Sequence, residues 1–237
     1  MKPVRGVIFD LFHTLTEPES VGSELLPGIA EALGIDRRAW DSVLLESSRW
    51  RLVGEVRDPH EIVRRLARHI DPHMPDATIR HALEVRTRRF ADILRRIPAY
   101  NVAAIRALRD AGCKVALLSN ADAIETASYG GCPLSGLFDV EMFSCDAGCA
   151  KPEPEIFHAC LDALGLAAAE CVFVGDGGSS ELEGAKAVGM RTVFVSGAIE
   201  AHWPERIAPR AAVADHHVRW VPELLPWLGI SGTSQVA

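Results

Sequence analysis

No stretch of the 237-residue chain approaches the ~20 consecutive apolar residues that a membrane-spanning helix needs, although 48% of its residues are hydrophobic. Lysine is scarce: Lys2, Lys114, Lys151 and Lys186 stand against 21 arginines. None of the six cysteines forms a CxxC pair. Cys145 and Cys149 are four apart with no histidine nearby, so neither a zinc site nor a disulfide framework is expected, and buried free thiols are. Repeats and low-complexity segments are missing. The opening Met-Lys-Pro-Val-Arg lacks the apolar stretch of a secretory signal, which leads to the expectation of a cytoplasmic protein. A basic stripe is missing too. Residues 16–97 hold 14 basic and 14 acidic side chains, and the whole net charge of −7 falls in the remainder. An acidic chain without such a stripe is a poor nucleic-acid binder, and a small anion held by local cations and backbone amides is the partner expected.

What is present is organised in two patterns. Residues 4–9 read as a strand apolar enough to lie inside a parallel sheet. Residues 17–97 then carry apolar residues at helical spacing: Ile62, Val63, Leu66, Ala67 and Ile70, and later Ile79, Leu83, Phe90, Ile93, Leu94 and Ile97. Pro27, Pro59, Pro72 and Pro75 divide this block into three or four helices, and Pro98 ends the last. From residue 101 onward strands and helices alternate. Asn101 is expected to cap a helix. Strands are expected at 115–118, 140–143, 171–174 and 192–195, with an edge strand at 216–218. A helix stops at Gly165, and Ser180 with Glu183 suggests a capping box for the next. The fold class expected is α/β: a doubly wound, Rossmann-like parallel sheet (1–16 and 98–230), an inserted all-helical domain (17–97) and a frayed tail (231–237). Ligands in such sheets bind beyond the carboxyl ends of the strands.

The polar clusters fall at those ends. Asp10 closes Val-Ile-Phe-Asp, where a buried carboxylate is costly unless it is paired or holds a metal; Thr14 follows four residues later. Ser119-Asn120 follows Val-Ala-Leu-Leu. Lys151 opens Lys-Pro-Glu-Pro-Glu-Ile-Phe. Gly175-Asp176 follows Val-Phe-Val and leads through Gly-Gly-Ser-Ser to Glu181 and Gly184.

In this order the four clusters resemble the haloacid dehalogenase superfamily of hydrolases, over residues 4–15 and roughly 100–220. Residues 17–97 look like that family's helical cap. The resemblance implies that Asp10 is a nucleophile forming a covalent aspartyl intermediate, that Thr14 holds its carboxylate or loop, and that Ser119 and Asn120 bind the substrate's anionic group. Lys151 would neutralise charge on the nucleophile and the transferred group. Asp10, Asp176 and the backbone carbonyl of Phe12 would hold Mg²⁺, a hard cation suited to oxygen ligands. Glu181 stands where the family usually has Asp; it binds through water or orients Lys151. Either a monomer or a homodimer is compatible with these features.

Phe12 breaks the pattern. The family's phosphatases carry an Asp there as general acid and base, a role worth roughly 10² to 10⁴ in rate. The 2-haloacid dehalogenases carry an aromatic, because a halide leaves without a proton. Those enzymes, however, are metal-independent and replace Gly-Asp by Ser-Asn-type residues, whereas this chain keeps Asp176. A Mg²⁺-dependent phosphatase acting on a small phosphorylated metabolite is therefore the first reading. A 2-haloacid dehalogenase is the second, and a catalytically weak binding module on the same fold is the third. His13 is expected to be a loop or cap contact. Arg49, Arg51, Arg64 and Arg65 are the candidates on the cap for reaching an anion.

Overall fold

Gly-Val-Ile-Phe contains no polar side chain, and it forms a fully buried strand, β1 (Gly6–Phe9). In the computed structural model, which describes residues 3–16, 28–46 and 48–230, five more strands join it: β2 (Lys114–Ser119), β3 (Val140–Phe143), β4 (Cys171–Gly175), β5 (Arg191–Val195) and β6 (His216–Val218). All pair in parallel, in the order β3-β2-β1-β4-β5-β6. The two-residue period of a strand divides the core between the sheet's faces. Val7, Phe9, Val115, Leu117, Val172, Val174, Val193 and Val195 belong to one apolar cluster; Ile8, Ala116, Leu118, Phe173 and Phe194 belong to the other. Burial on both faces explains why these strands read as continuous apolar runs.

The strand after β1 in the chain lies on one side of it and β4 lies on the other. The connections thus diverge at β1, and the crevice beyond the carboxyl ends of β1, β2 and β4 is the place where this architecture receives ligands. Asp10, Ser119-Asn120 and Asp176 all lie there.

Within the insert, ahead of Pro98, the described chain forms five helices, α1 (Ile29–Leu33), α2 (Arg37–Glu46), α3 (Arg49–Leu52), α4 (Pro59–Ile70) and α5 (Asp76–Arg95), where three or four are expected from the prolines. The short α3 carries no proline signal of its own. Helix α4 starts as its sequence dictates: the Asp58 side chain accepts a hydrogen bond from the Glu61 amide at 2.7 Å and Pro59 takes the first position. The insert has its own apolar cluster, containing Trp40, Ile62, Val63, Leu66, Ile79 and Ala82, which Ile124 of the sheet layer joins. The insert's boundary at residue 17, Pro27, Ser47 and the tail 231–237 lie outside the described residues.

Two local expectations need correction. Asn101 does not cap its helix, because α6 (Ala99–Asp110) already begins after Pro98, whose extended backbone sets the entry. Asn101 is buried one turn in, where its side-chain amide donates to the Leu15 carbonyl at 2.9 Å and so ties α6 to the loop after Asp10. The capping box at Ser180 does not form either. Ser180 precedes α7 (Glu181–Ala187) with φ of 50°, in the left-handed region, and its hydroxyl caps nothing. Ser179, at φ 51°, is left-handed as well. Non-glycine residues avoid this region unless their surroundings impose it. The six thiols are free, four of them buried, and burial lifts Cys145 and Cys171 to about 11 and Cys160 to about 12. The four buried ones are inert core residues at neutral pH. No helix among the described residues is long and apolar enough to cross a membrane.

Candidate active site

Asp10 extends the β1 ladder by one bond, its amide donating to Val174 at 2.9 Å, and then the chain turns. The Leu15 and Thr16 amides return to the Leu11 carbonyl, and the Thr16 hydroxyl accepts from the His13 amide at 2.9 Å. This tight loop brings Thr14 back over the carboxylate: its hydroxyl donates to Asp10 Oδ2 at 3.0 Å. The other oxygen, Oδ1, accepts from Lys151 Nζ at 2.7 Å. Lys151 is itself buried and reaches a second carboxylate, Glu181 Oε2, at 2.6 Å. Glu181 Oε1 accepts from the Gly177 amide at 3.0 Å. Glu181 therefore spends an oxygen on orienting Lys151, one of the two roles expected of it.

Asp176 is held by three hydrogen bonds from two donors. The Gly178 amide donates to Oδ1 at 3.1 Å, and Arg210 Nη1 donates to Oδ2 at 2.8 Å and to the Asp176 carbonyl at 2.6 Å. Oxygen atoms of Asp10, Asp176 and Glu181 lie within 4.8 Å of one another, all three residues buried. Three carboxylates thus face two cations, Lys151 and Arg210. The imbalance appears in the titration. Burial raises Asp10; Lys151 pulls it down and Asp176 pushes it back up. Glu181 is raised well above the ordinary carboxylate range, by burial first, with Lys151 opposing and Asp10 and Asp176 adding. Burial works against the Lys151 ammonium, but Asp10 and Glu181 outweigh it and hold the group charged. The chemistry of this donor set fits a hard divalent cation. The surplus charge is negative, the donors are oxygens, and Asp10 and Asp176 each keep lone pairs beyond those already bonded. Asp10 and Asp176 would be the carboxylate ligands, with Glu181 beside them and already bonded to Lys151.

The second cluster divides its labour. Both polar atoms of the Asn120 side chain are used on the Lys151 peptide: Nδ2 donates to the Lys151 carbonyl and the Lys151 amide donates to Oδ1, each at 2.8 Å. Asn120 thereby positions the lysine loop. Ser119 is different, a fully buried hydroxyl with no hydrogen-bond partner among the described residues, at the end of the strand beside β1. An orphaned buried hydroxyl in a crevice fits a donor kept for a ligand. Gly184 completes the frame. A Cβ there would lie 2.7 Å from the Pro152 carbonyl oxygen and 3.0 Å from the Pro152 Cα, so α7 touches the lysine loop backbone to backbone. Gly184→Ala is expected to cost about 1–3 kcal/mol, the usual range for overpacking, read as a lowered midpoint in urea.

A model of the haloacid dehalogenase-like hydrolase family matches residues 4–189. The chain belongs to that family. The phosphoserine phosphatase of Thermus thermophilus is 31% identical over 134 residues, 55% of this chain and 53% of that protein. The chain thus spans about half the length of the first curated relatives it matches. A glyceraldehyde 3-phosphate phosphatase of Pyrococcus abyssi is 27% identical over 81% of each chain. Among solved structures, an L-2-haloacid dehalogenase superposes with a TM-score of 0.69 at 23% identity, covering 96% of this chain and 100% of the other. That likeness is one of fold.

The remaining sequence candidates spread out. The Phe12 ring stands edge-on to Phe90 of α5, centroids 5.4 Å apart, and forms with it an apolar wall two residues past Asp10. His13, with φ of 62°, turns its ring onto Trp203 at 5.2 Å, a loop contact. Arg49 pairs with Glu153, and Arg64 and Arg65 both pair with Glu61 on their own helix. Arg51 is buried against Asp122 and Glu125. Each of the four candidate arginines is thus matched to a carboxylate away from Asp10. Sequence reasoning missed Arg86, Asp122, Glu125 and Arg210. Nothing in a chain with 21 arginines marks two of them for burial.

Proposed function

We propose that this hydrolase cleaves small phosphate monoesters through an aspartyl-phosphate on Asp10, with Mg²⁺ as cofactor. The observation that carries this reading is Asp176, kept beside Asp10 in a cluster of three buried carboxylates. Without phosphate chemistry to serve, that arrangement is a cost, since like charges at short range oppose one another's ionisation. When bound, Mg²⁺ would supply charge neutralisation for the phosphoryl oxygens.

The chain's own residues do the rest. Thr14 and Lys151 fix the two oxygens of Asp10, so that the carboxylate meets phosphorus in one orientation. An Asp10 oxygen forms a bond to phosphorus, and the bond from phosphorus to the ester oxygen breaks, its electron pair leaving on that oxygen as an anion that takes its proton from solvent. Ser119 donates to a phosphoryl oxygen, and Lys151 balances the charge on the group in transfer. Water then attacks the aspartyl-phosphate, releases phosphate and restores Asp10. The wall of Phe12 and Phe90 supplies no proton, so the preferred substrates have leaving groups that depart as stabilised anions: aryl or acyl phosphates over simple alkyl ones. The helical insert acts as the cap that excludes water from this step.

The test is a panel of p-nitrophenyl phosphate, acetyl phosphate and alkyl phosphates, run with Mg²⁺ and with EDTA. Phosphate release that needs Mg²⁺ and falls from acyl and aryl to alkyl substrates is the expected result. Phe12 favours one other reading, the 2-haloacid dehalogenase. Halide release from 2-chloropropionate in EDTA, with no phosphate released from any ester, would replace the first reading by the second.

A further inference from the structure

Arg210 lies outside the family match, which ends at residue 189, yet it bonds a residue of the site. It belongs to α8 (Ile207–Val213), in the connection between β5 and β6. One nitrogen, Nη1, serves both the Asp176 carbonyl and Oδ2, and only 15% of the side chain is exposed. Its stem crosses Gly177. A Cβ on Gly177 would come within 3.0 Å of Arg210 Cδ and 3.1 Å of Cγ, and Gly177 also has φ of 78°. The loop after Asp176 is therefore shaped to admit this arginine, through a left-handed glycine and the two left-handed serines beyond it. A guanidinium at that position has two effects on the carboxylate. It fixes Oδ2, while the Gly178 amide of the same tight loop binds Oδ1, so the carboxylate beside Asp10 is held in one orientation. It also places a fixed positive charge beside the place where a divalent cation would sit.

We infer that Arg210 is a positioning residue that weakens and tunes divalent-cation binding at Asp10 and Asp176. The inference rests on the metal-dependent reading above. A unit charge a few ångströms from a dication, in a partly screened site, changes affinity by at least about tenfold. Neutralising Arg210 should then tighten the binding of Mg²⁺, where loss of a purely structural arginine would loosen it. Arg210 makes the resting site nearly self-neutralised, so the cation binds and leaves with turnover instead of remaining in place.

The experiment is calorimetric titration of MgCl₂ into the EDTA-treated, dialysed full chain, with no substrate, for the wild type, Arg210→Gln and Arg210→Lys. Far-UV circular dichroism and thermal melts serve as the check on folding. The expected result is Mg²⁺ binding at least about tenfold tighter in R210Q, and close to wild type in R210K, which keeps the charge. Equal or weaker binding in R210Q overturns the inference, and so does tightening in R210K as large as in R210Q. If R210Q does not fold, R210K decides alone: Mg²⁺ binding tightened tenfold despite the retained charge overturns the inference, and near wild-type binding sustains it. Absence of Mg²⁺ binding in all three overturns it as well. Phosphate release by the wild type is measured separately, so a failure of this inference is distinguished from a failure of the phosphatase reading.

Discussion

Replacing Asp10 by Asn should abolish phosphate release, by a factor on the order of 10⁴ or more, because an amide oxygen cannot form and then release the acyl-phosphate. The same change should leave the protein folded and at least as stable as the wild type. Asp10 is buried beside Asp176, and burial together with that neighbour already pushes its carboxyl up. An amide relieves that repulsion and still accepts from Thr14 or Lys151. Activity lost with stability kept or gained is the mark of a residue held for chemistry. The measurements are phosphate release in Mg²⁺ and the urea midpoint in EDTA. Residual turnover above a hundredth of wild type would remove Asp10 from the nucleophile's role, whatever the stability. A companion variant, Lys151→Met, should behave differently. It strands two carboxylates, Asp10 and Glu181, without their ammonium, and so should cost stability as well as activity.

The largest effect on stability is expected where the insert meets the sheet. Arg51 of α3 and Arg86 of α5 converge on Asp122 and Glu125, which follow β2. Arg51 reaches Asp122 at 2.8 Å and Glu125 at 3.2 Å; Arg86 reaches them at 2.9 Å and 2.5 Å. All four residues are buried. The cluster lies close to the site in sequence and in space. Asp122 is two residues past Asn120, and the Arg86 guanidinium stacks 5.0 Å over Phe90, whose ring meets Phe12. Removing one member of a buried ion cluster leaves its partners uncompensated, a cost of about 3–5 kcal/mol. Asp122→Asn is expected to lose that much, and Arg86→Met a similar amount, in urea unfolding near neutral pH. The pH dependence carries its own sign. Burial raises Asp122, but Arg86 and Arg51 outweigh it and hold the carboxyl below its ordinary value. A depressed folded pKa contributes stability that is fully present above the unfolded value of about 3.9 and is lost as pH falls through the folded one. The difference between wild type and Asp122→Asn should therefore be level above about pH 5 and shrink only under acid, below about pH 3.9. A difference under 1 kcal/mol at neutral pH would show that the cluster is decorative.

Much of this was legible without coordinates, for a specific physical reason. The four chemical clusters each follow an apolar run or precede a glycine-stopped helix, and both are local patterns. Val-Ile-Phe before Asp10 and Val-Phe-Val before Asp176 can only be buried strands, and a parallel sheet lines up their carboxyl ends. The strand at 140–143 and the edge at 216–218 fall where the sequence puts them. Asn101 and Ser180 misled because a capping residue is recognised by composition, while capping itself depends on backbone angles that Pro98 and the left-handed loop 177–180 had already set. Asn120 also looked like a ligand contact, since sequence order alone does not show that its side chain is spent on the Lys151 peptide.

The sequence by itself determined the parallel α/β sheet, the family, and the presence of Asp10, Thr14, Lys151 and Asp176 at the carboxyl end of that sheet, because each depends on residues within a few positions of one another. Tertiary structure alone decided which charges meet. Arg210 and Asp176 are 34 positions apart, Arg86 and Asp122 are 36, and Arg51 and Asp122 are 71. Pairing at such separations follows from how helices of the insert and of the β5–β6 connection are laid over the strand ends, and no local period encodes it. That placement gives Asp176 its arginine and gives the insert its buried anchor at Asp122, just past Asn120.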